Sequence, residues 1–499
     1  MAYLLGIDNG LTVSKAVLFD DTGRAINTAR RRIPQSMPAA HFVERDMTVL
    51  WLETAAAIGE VLSVSGVDAA DVSAIAATAH GDGLYLIDDH ARPLRPGILS
   101  LDSRAGAIVD RWTNDRTAED ALARTGQVPH ASAPSALLAW VRDNEPDVYQ
   151  RIGTILAAKD WLRLCLTGTV GTDLTEASTS FTDVRTQAYA DDILQIFGLE
   201  ALASALPDVS APSDVVGHVT TAAAQQTGLA EGTPVVAGLH DVTASALGVG
   251  GYAERIVAIV AGTYSINETV THAPKTDPAW FCRNGIALGE WNNMAISPAS
   301  AANYDWFLDA LMSVEREGAG NAIHTHVAEA IAKVERSNVL FHPYLFGSPH
   351  GPTASASFLG LRGWHGRPEM LRAVIEGIAF NHRVHVDALR GAFEVEGARL
   401  TGGISRNPVF SQIFADALGL PVVVTDTEEA AAWGTALCAG AGVGLFDSPK
   451  DDPRELEQTT YHPDPARTHE MDELFALHLE VGDAIGPIWR KLEQRGSAS

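Results

Sequence analysis

The sequence predicts an α/β protein built as two similar halves, and three observations carry that reading. An apolar strand, a tight polar turn with a glycine and a returning strand occur at residues 4–20 and again at 256–267. Short apolar strands alternate with helical stretches in both halves. At 499 residues the chain is also too long for a single growing core. The boundary is expected in Gly248-Val249-Gly250-Gly251, where three glycines in four residues make a hinge candidate. That gives an N-terminal domain over 1–248 and a C-terminal domain over 249–499.

In the first hairpin, apolar runs at 4–7 and 16–19 flank a polar insert. Gly10 lets the backbone approach a ligand with no Cβ in the way. The amides and hydroxyls of Thr12 and Ser14 are expected to face the same point, so the tip could hold phosphate. Asp8, just before the turn, is placed to meet a hydrated magnesium ion on such phosphates. Taken alone, Asp-x-Gly is more often an ordinary turn. Asp21-Thr22-Gly23-Arg24 reads as a second turn, and Asp46 as the N-cap of an Ala-rich helix to about residue 64. A buried strand over 72–78 runs into Ala79-His80-Gly81-Asp82-Gly83, which suits a ligand loop as well as a plain Gly-rich hairpin loop. A strand over 98–101 ends in charge at Asp102, and helical sequence follows to Tyr149.

Lys159-Asp160-Trp161 opens a short helix closed by Gly168, and 172–178 reads as a polar loop that could line a cleft but by default is solvated. A capped helix over 220–227 ends at Gly228 and leads through Pro234 to a strand over 235–239. Asp241 follows that strand and reads two ways. It is an N-cap for the helix over 242–248, and it is a strand-end carboxylate that the helix dipole keeps ionised and able to take a proton.

The second half repeats the opening pattern with Gly262-Thr263 at its turn. The largely apolar run 339–347 leads into a Ser/Gly/Pro-rich loop to about 357, and the helix over 369–393 is expected to be the longest. His382 and His385 lie one turn apart on it, and with no third ligand in view they read as surface or core positions. A strand at 399–401 runs into Gly402-Gly403 and then a helix from Pro408. Its free amides could lie against a base or ribose, although Gly-Gly alone is more often a turn. Glu428-Glu429 precede an Ala-rich helix over 430–441, and an amphipathic helix over 471–492 packs on the body.

The formal charge of −26 argues against a nucleic-acid binder, which needs clustered cations, but leaves room for a small anion pocket. Cys165, Cys282 and Cys438 are widely spaced without Cys-x-x-Cys, which fits a reducing cytoplasm and no zinc knuckle. No basic leader and no apolar run long enough for a bilayer is read, so neither secretion nor a membrane partner is expected.

Gly-x-x-x-x-Gly-Lys-Ser/Thr and the protein-kinase motif set are both missing. Three Gly-bearing loops at strand ends plus a carboxylate at the hinge argue for a nucleotide between two domains, an arrangement that resembles the actin-like ATPases with their ribonuclease H-like domains and catalytic cleft. Within that arrangement the chain resembles the FGGY family of carbohydrate kinases from residue 3 to about 445. Ala356-Ser357-Phe358-Leu359-Gly360-Leu361, followed after seven residues by Glu369-Met370-Leu371-Arg372-Ala373-Val374-Ile375-Glu376, fits the second family signature throughout. Gly6-Ile7-Asp8-Asn9-Gly10, Gly228-Leu229 through Pro234 to Asp241, Ala261-Gly262-Thr263 and Thr401-Gly402-Gly403 with Asn407 also match.

The resemblance implies transfer of the ATP γ-phosphoryl group to a hydroxyl of a small ketose, a pentulose such as xylulose, with erythritol or another polyol as the alternative. It makes Asp241 the catalytic base. It places Asp8, Gly10, Thr12, Ser14, Lys15, Gly262, Thr263, Gly402, Gly403 and Asn407 around ATP, and Mg2+ at Asp8 through water with Asp241 as a second candidate. His80, Asp82, Asp102 and Asp241 would hold the sugar. Lys159-Asp160-Trp161 only partly fits the first family signature and receives no role. Xylulokinases carry His directly before the final Gly of the substrate loop, whereas this chain has Asp82 there and His80 two positions earlier. That loop and Lys-Asp-Trp-Leu look closer to L-xylulose and erythritol kinases. A non-catalytic, ATP-binding relative of the actin-like type is the rival, and the retention of Asp241 and polar residues at 80, 82 and 102 argues against it. Homodimers are common in the family, but no interface is identified in the sequence.

Overall fold

A computed structural model describes residues 2–334, 336–348 and 353–496. The predicted hairpins form, and each nucleates a mixed sheet. In the first, β1 (Tyr3–Asn9) and β2 (Val13–Asp20) pair antiparallel and β3 (Ala25–Arg32) extends the meander. With β4 (Val72–Ala79), β5 (Val215–His218) and β6 (Pro234–Val236) the order is β5-β6-β4-β1-β2-β3. The second hairpin is β7 (Ile256–Ala261) with β8 (Ser265–Thr271). Its sheet adds β9 (Phe281–Asn284), β10 (Trp291–Ser297), β11 (Gly397–Thr401), β12 (Val422–Thr425) and β13 (Gln458–Tyr461), in the order β9-β10-β8-β7-β11-β12-β13. On one side of each hairpin lie two parallel strands and then an antiparallel edge strand: β4, β6 and β5 in the first sheet, β11, β12 and β13 in the second.

The helix α1 (Met47–Ser65) packs on β2 and β3, with Asp46 accepting from the amides of Thr48 and Val49 at its start and Gly66 in a left-handed conformation at its end. Leu50, Ile58 and Val61 of α1 join Leu5, Ile7, Leu18 and Ile75 in one core. A second core gathers Leu86, Trp112, Leu137, Phe181 and Phe197. With 19 residues and a mean hydropathy of 1.4, α1 is by length and composition alone long and apolar enough to cross a bilayer, a test that the core helix of a soluble protein also passes, and half of it is buried within the protein.

Contacts divide the chain into two compact units. One comprises Met1–Tyr252, Val270–Asn293 and Thr427–Glu455, the other Ala253–Thr269, Met294–Asp426 and Leu456–Ser499. These units are discontinuous, unlike the contiguous partition at 248/249. Within the first unit, α6 (Ala430–Gly442; α4 and α5 are defined below) lies against β1 and α3 (Asp241–Gly248) at backbone distance. A Cβ on Gly434 would overlap the carbonyl of Ala244, one on Gly248 that of Ala430, and one on Gly6 that of Ala432. Only glycine permits such an approach.

Other differences are local. The strand expected over 98–101 is reduced to Gly97–Ile98. The polar run 172–178 is no solvated loop but a buried strand, Thr172–Asp173, and a short buried helix, Leu174–Ala177. The helix α2 (Ala158–Thr167) ends at Gly168 as expected. The helix expected over 369–393 is α4 (Arg367–Ala392), followed by α5 (Pro408–Leu418), but the longest is α7 (Pro465–Gly496), with 32 residues. Of the loop expected to about 357, residues 349–352 lie outside the described residues. All three cysteines are free thiols.

Candidate active site

In the first unit β1 and β4 run parallel and end level, Asn9 beside Ala79, so the turn after one strand and the loop after the other open at the same sheet edge. Open α/β sheets bind ligands at such carboxyl ends. The His80 amide donates to the Asn9 carbonyl at 2.8 Å and ties the two together. Asp8 faces Lys15 across the hairpin, with Nζ 3.3 Å from Oδ2, and Lys15 also reaches Glu429 at 3.0 Å. Burial raises the pKa of the Asp8 carboxyl despite that cation. Gly10 donates its amide to Val13 at 3.0 Å, and Thr12 is exposed at the tip.

Ser14 does not join them. Strand alternation turns it to the face opposite Lys15, where it is fully buried with its hydroxyl 3.1 Å from Thr54 of α1. The tip is instead held by Arg45, unremarked in the sequence. Its buried guanidinium donates to Asn9 Oδ1 at 3.2 Å, to the Gly10 carbonyl at 3.4 Å and to the Leu11 carbonyl.

Asp241 is the first residue of α3, and His240 is the N-cap. Asp241 Oδ1 accepts from the Val242 amide at 2.8 Å, and 31% of the side chain remains exposed. Burial, the negative charge of Asp8 and then that of Asp82 push its carboxyl up to about 7, outweighing the amides of Val242 and Gly81. The carboxylate that the helix terminus was expected to keep ionised therefore titrates near neutrality, which matches a general base.

The loop after β4 closes on the same place. A Cβ on Gly81 would overlap the His240 ring, so that position needs glycine. Asp82 adopts φ 57°, unusual for a non-glycine residue. Its Oδ1 accepts from Arg283 at 2.8 Å, and His130 Nε2 lies 3.7 Å away. Although burial acts to raise it, the Arg283 guanidinium holds Asp82 well below the usual carboxylate range. Arg283, from β9, is 3% exposed and also donates to Gln127 Oε1 at 2.7 Å and to His240 Nε2 at 3.1 Å. His80 is buried, with Nε2 3.2 Å from the Tyr85 hydroxyl, and burial together with the charge of Arg45 lowers it to about 3, so it is neutral.

Asp102 is enclosed and engaged by Arg104 and the backbone. Oδ2 accepts from the Val43 amide at 2.7 Å and from Arg104 at 2.7 Å, Oδ1 accepts from the Arg104 amide at 2.9 Å, and the side chain has no exposed surface. Lys159-Asp160-Trp161 has a supporting role. Fully buried Lys159 lies 2.6 Å from Asp160 and 2.8 Å from Asp173, and donates to the Ala237 carbonyl at 3.4 Å. Asp173 accepts from the Thr175 hydroxyl at 2.7 Å, and that oxygen accepts the His240 amide at 2.9 Å, so the clamp seats the chain entering α3.

Asp8 and Asp241 are both partly exposed carboxylates, and the charge of the first raises the pKa of the second. A divalent cation would relieve that repulsion. Among the described residues no group of three or more His, Cys, Asp or Glu forms a closed metal cage. A pair of carboxylates suits Mg2+, which keeps several waters and shares phosphate oxygens.

In the second unit, β7 and β11 also run parallel, with Val260 beside Thr401, so Gly262-Thr263 and Gly402-Gly403 follow neighbouring strands. Thr263 is exposed. Gly402 adopts φ 100°, and a Cβ there would overlap the Ala261 carbonyl. Asn407 caps α5 by accepting from the Val409 amide at 3.1 Å, and its Nδ2 donates to the His324 carbonyl at 3.2 Å. Behind the hairpin, buried His382 lies 2.9 Å from Ser300 Oγ and 2.8 Å from Asn267 Oδ1, and His385 Nε2 lies 2.9 Å from Ser297 Oγ. Both histidines are core residues.

Models of the FGGY family of carbohydrate kinases match the chain twice, the N-terminal domain over residues 3–248 and the C-terminal domain over 257–443. A probable L-xylulose kinase of Pasteurella multocida is 35% identical over 449 residues, covering 89% of this chain and 91% of that protein. An erythritol kinase of Brucella abortus is 30% identical over 511 residues, covering 98% and 97%. The crystal structure of a ligand-bound xylulose kinase from Lactobacillus acidophilus superposes with a TM-score of 0.90 at 24% identity, covering 99% of this chain and all of that one, and shows the shared fold.

Proposed function

Because the chain belongs to the FGGY family of carbohydrate kinases and is therefore a sugar phosphotransferase using ATP, we propose that its acceptor is a neutral pentulose, with L-xylulose first among the candidates. The observation that carries this reading is the cluster at the carboxyl ends of β1 and β4, where Asp241, poised near neutrality, lies beside Asp82 and the buried Arg283. Asp82 and Arg283 neutralise one another, and a paired carboxylate and guanidinium suit the hydroxyl groups of a neutral acceptor. The names of the 35% and 30% identical relatives support a pentulose and, as a second reading, a four-carbon polyol.

In the reaction Asp241 accepts the proton of the attacking hydroxyl, while Asp82 holds neighbouring hydroxyls. In the first unit the amides of the Gly10 turn, with Thr12 and Lys15, suit phosphate oxygens; in the second unit, taken by itself, Gly262 and Thr263 suit phosphate oxygens and Gly402, Gly403 and the Asn407 region suit adenosine. Phosphoryl transfer has a loose transition state, so its catalysis rests on positioning and charge stabilisation. Magnesium held by Asp8 through water, with Asp241 as a second contact, would supply charge neutralisation on those oxygens.

The test is ADP release in a coupled assay with L-xylulose, D-xylulose, L-ribulose, D-ribulose, erythritol and glycerol. The expected result is the highest kcat/KM on a pentulose. Preference for erythritol would replace the pentulose assignment by the polyol one, and ADP release independent of any acceptor would remove both.

A further inference from the structure

Beside the loop that carries Asp82, the first unit holds a cavity of about 40 Å³ that the reaction outlined above leaves unused. Asp82 and Gly83 line it, Ile155, Phe181 and Leu206 give it apolar walls, and Glu176 of the short helix Leu174–Ala177 stands among them. The space exceeds what one water needs and is far too small for a whole sugar, so it takes a few heavy atoms at most.

Glu176 is the group in that lining left without a partner. It is 5% exposed, and its Oε1 makes no hydrogen bond among the described residues. The other two acids that line the cavity are engaged, Asp160 by Lys159 at 2.6 Å and the Thr172 hydroxyl at 2.8 Å, and Asp82 by Arg283 at 2.8 Å. A buried carboxyl oxygen with nothing to bond is costly and calls for an occupant. Burial raises the pKa of Glu176 well above 4.5 against the charge of Lys159, and the charges of Asp160, Asp173 and Asp82 add to the rise. Glu176 is therefore uncharged near neutrality, and an uncharged carboxyl both donates and accepts, as a hydroxyl does. It also stands next to the reacting residues in the chain's bonding. The preceding residue, Thr175, accepts the amide of His240, and Asp241 follows directly.

We propose that Glu176 is a specificity-determining residue, and that a terminal hydroxymethyl group of the acceptor, at the end remote from the attacked hydroxyl, enters this cavity and exchanges hydrogen bonds with its carboxyl. The inference rests on the sugar-kinase reading of Asp241 and Asp82 given above. Size and chemistry both match. A hydroxymethyl group brings two heavy atoms, the apolar walls seat its carbon, and the uncharged acid meets its oxygen. A methyl group at the same place would leave Glu176 buried and unpaired.

The test compares kcat/KM for the best acceptor of the coupled screen with that for the same acceptor carrying methyl in place of its remote hydroxymethyl, in the full chain and in two variants. The parent is expected to favour the hydroxymethyl acceptor by about tenfold or more, because the methyl analogue leaves a buried polar group unsatisfied. Glu176→Met, similar in length and apolar, should bring that ratio to about one, chiefly by raising the KM of the hydroxymethyl acceptor. Glu176→Gln keeps a donor and an acceptor and should retain most of the preference. A purely structural role would lower both acceptors alike and leave the ratio unchanged. An unaltered ratio in Glu176→Met, a collapsed ratio in Glu176→Gln, or a parent that does not distinguish the two acceptors would each overturn the proposal and leave the cavity to water. Melting curves check the folding of each variant, and the parent ratio decides even where Glu176→Met folds poorly. Because the pair is built on whichever acceptor the screen selects, a polyol preference would overturn the pentulose reading alone, whereas ADP release that no acceptor stimulates would overturn both.

Discussion

The two glycine hairpins share a backbone plan and differ in charge. Each opens its turn on a glycine, Gly10 or Gly262, and each has a parallel strand beside it, β4 or β11, whose following loop opens at the same edge. Two residues before the glycine stands Asp8 in one hairpin and Val260 in the other. Around the first gather Lys15, Glu429, Asp82, Arg283 and Asp241, while the second is backed by a neutral network of Ser265, Asn267, Ser300 and His382. Duplicated geometry thus carries two assignments. On the proposed reading the charged copy moves a proton and holds the metal, whereas the neutral copy offers amides and small residues to an anion.

The sharpest way to break this contrast is to neutralise Asp241. Asp241→Asn is expected to lower kcat by about 10³-fold, within the range general bases supply, while ATP binding measured by calorimetry persists. In the parent enzyme kcat/KM should rise with pH through about 7 and then level, because the base must lose its proton. The stability effect has the opposite sign. The folded pKa of about 7 lies above the ordinary value of 3.8, so the contribution of Asp241 to stability is fully present below about 4 and lost as pH rises through 7. Asp241→Asn should therefore raise the melting temperature relative to the parent more at pH 8 than at pH 5. Near-normal turnover in this variant would leave the charged hairpin without its chemistry.

Charge alone does not mark the reacting residues, and Asp102 sharpens that point. Its carboxylate is buried against Arg104, which retains Glu44 at 2.8 Å. Asp102→Asn is expected to cost about 3 kcal/mol of unfolding free energy in denaturant titrations, as breaking a buried pair does, with the sugar KM of the folded enzyme unchanged. A raised KM at parental stability would return Asp102 to the sugar site.

Residues whose roles are set by near neighbours in the chain were legible. The hairpins, the Asp46 cap, Gly168, Gly228 and the strand-end position of Asp241 follow from local pattern. Ser14 shows the limit of residue identity, since strand pleating decided its face and turned its hydroxyl to α1. Asp102 had a local signal, an arginine two positions on, that weighs toward an ion pair. Arg283, Gln127 and Arg45 left no motif because their partners are brought to them only by the fold. Lys159, matched only in part to a signature, acts through Asp173 and Thr175 on the His240 backbone, a relay no spacing rule displays. The return of residues 427–455 to the first unit rests on Gly248 and Gly434, whose importance appears once two helices touch.

The smallest expected effect belongs to the neutral copy and separates two adjacent glycines. Gly402 has φ 100° and no room for a Cβ beside the Ala261 carbonyl, whereas Gly403 has open space around its missing side chain. Gly402→Ala is therefore expected to cost about 1–3 kcal/mol in stability, since both the backbone conformation and the contact with β7 must yield. Because the loop would move away from the Gly262 turn, the KM for ATP should rise with kcat little altered. Gly403→Ala should be close to parental in melting temperature and in both kinetic constants. If instead the two variants behave alike, or if Gly402→Ala lowers kcat as Asp241→Asn does, the neutral hairpin is taking part in the chemical step and the division between the two copies does not hold.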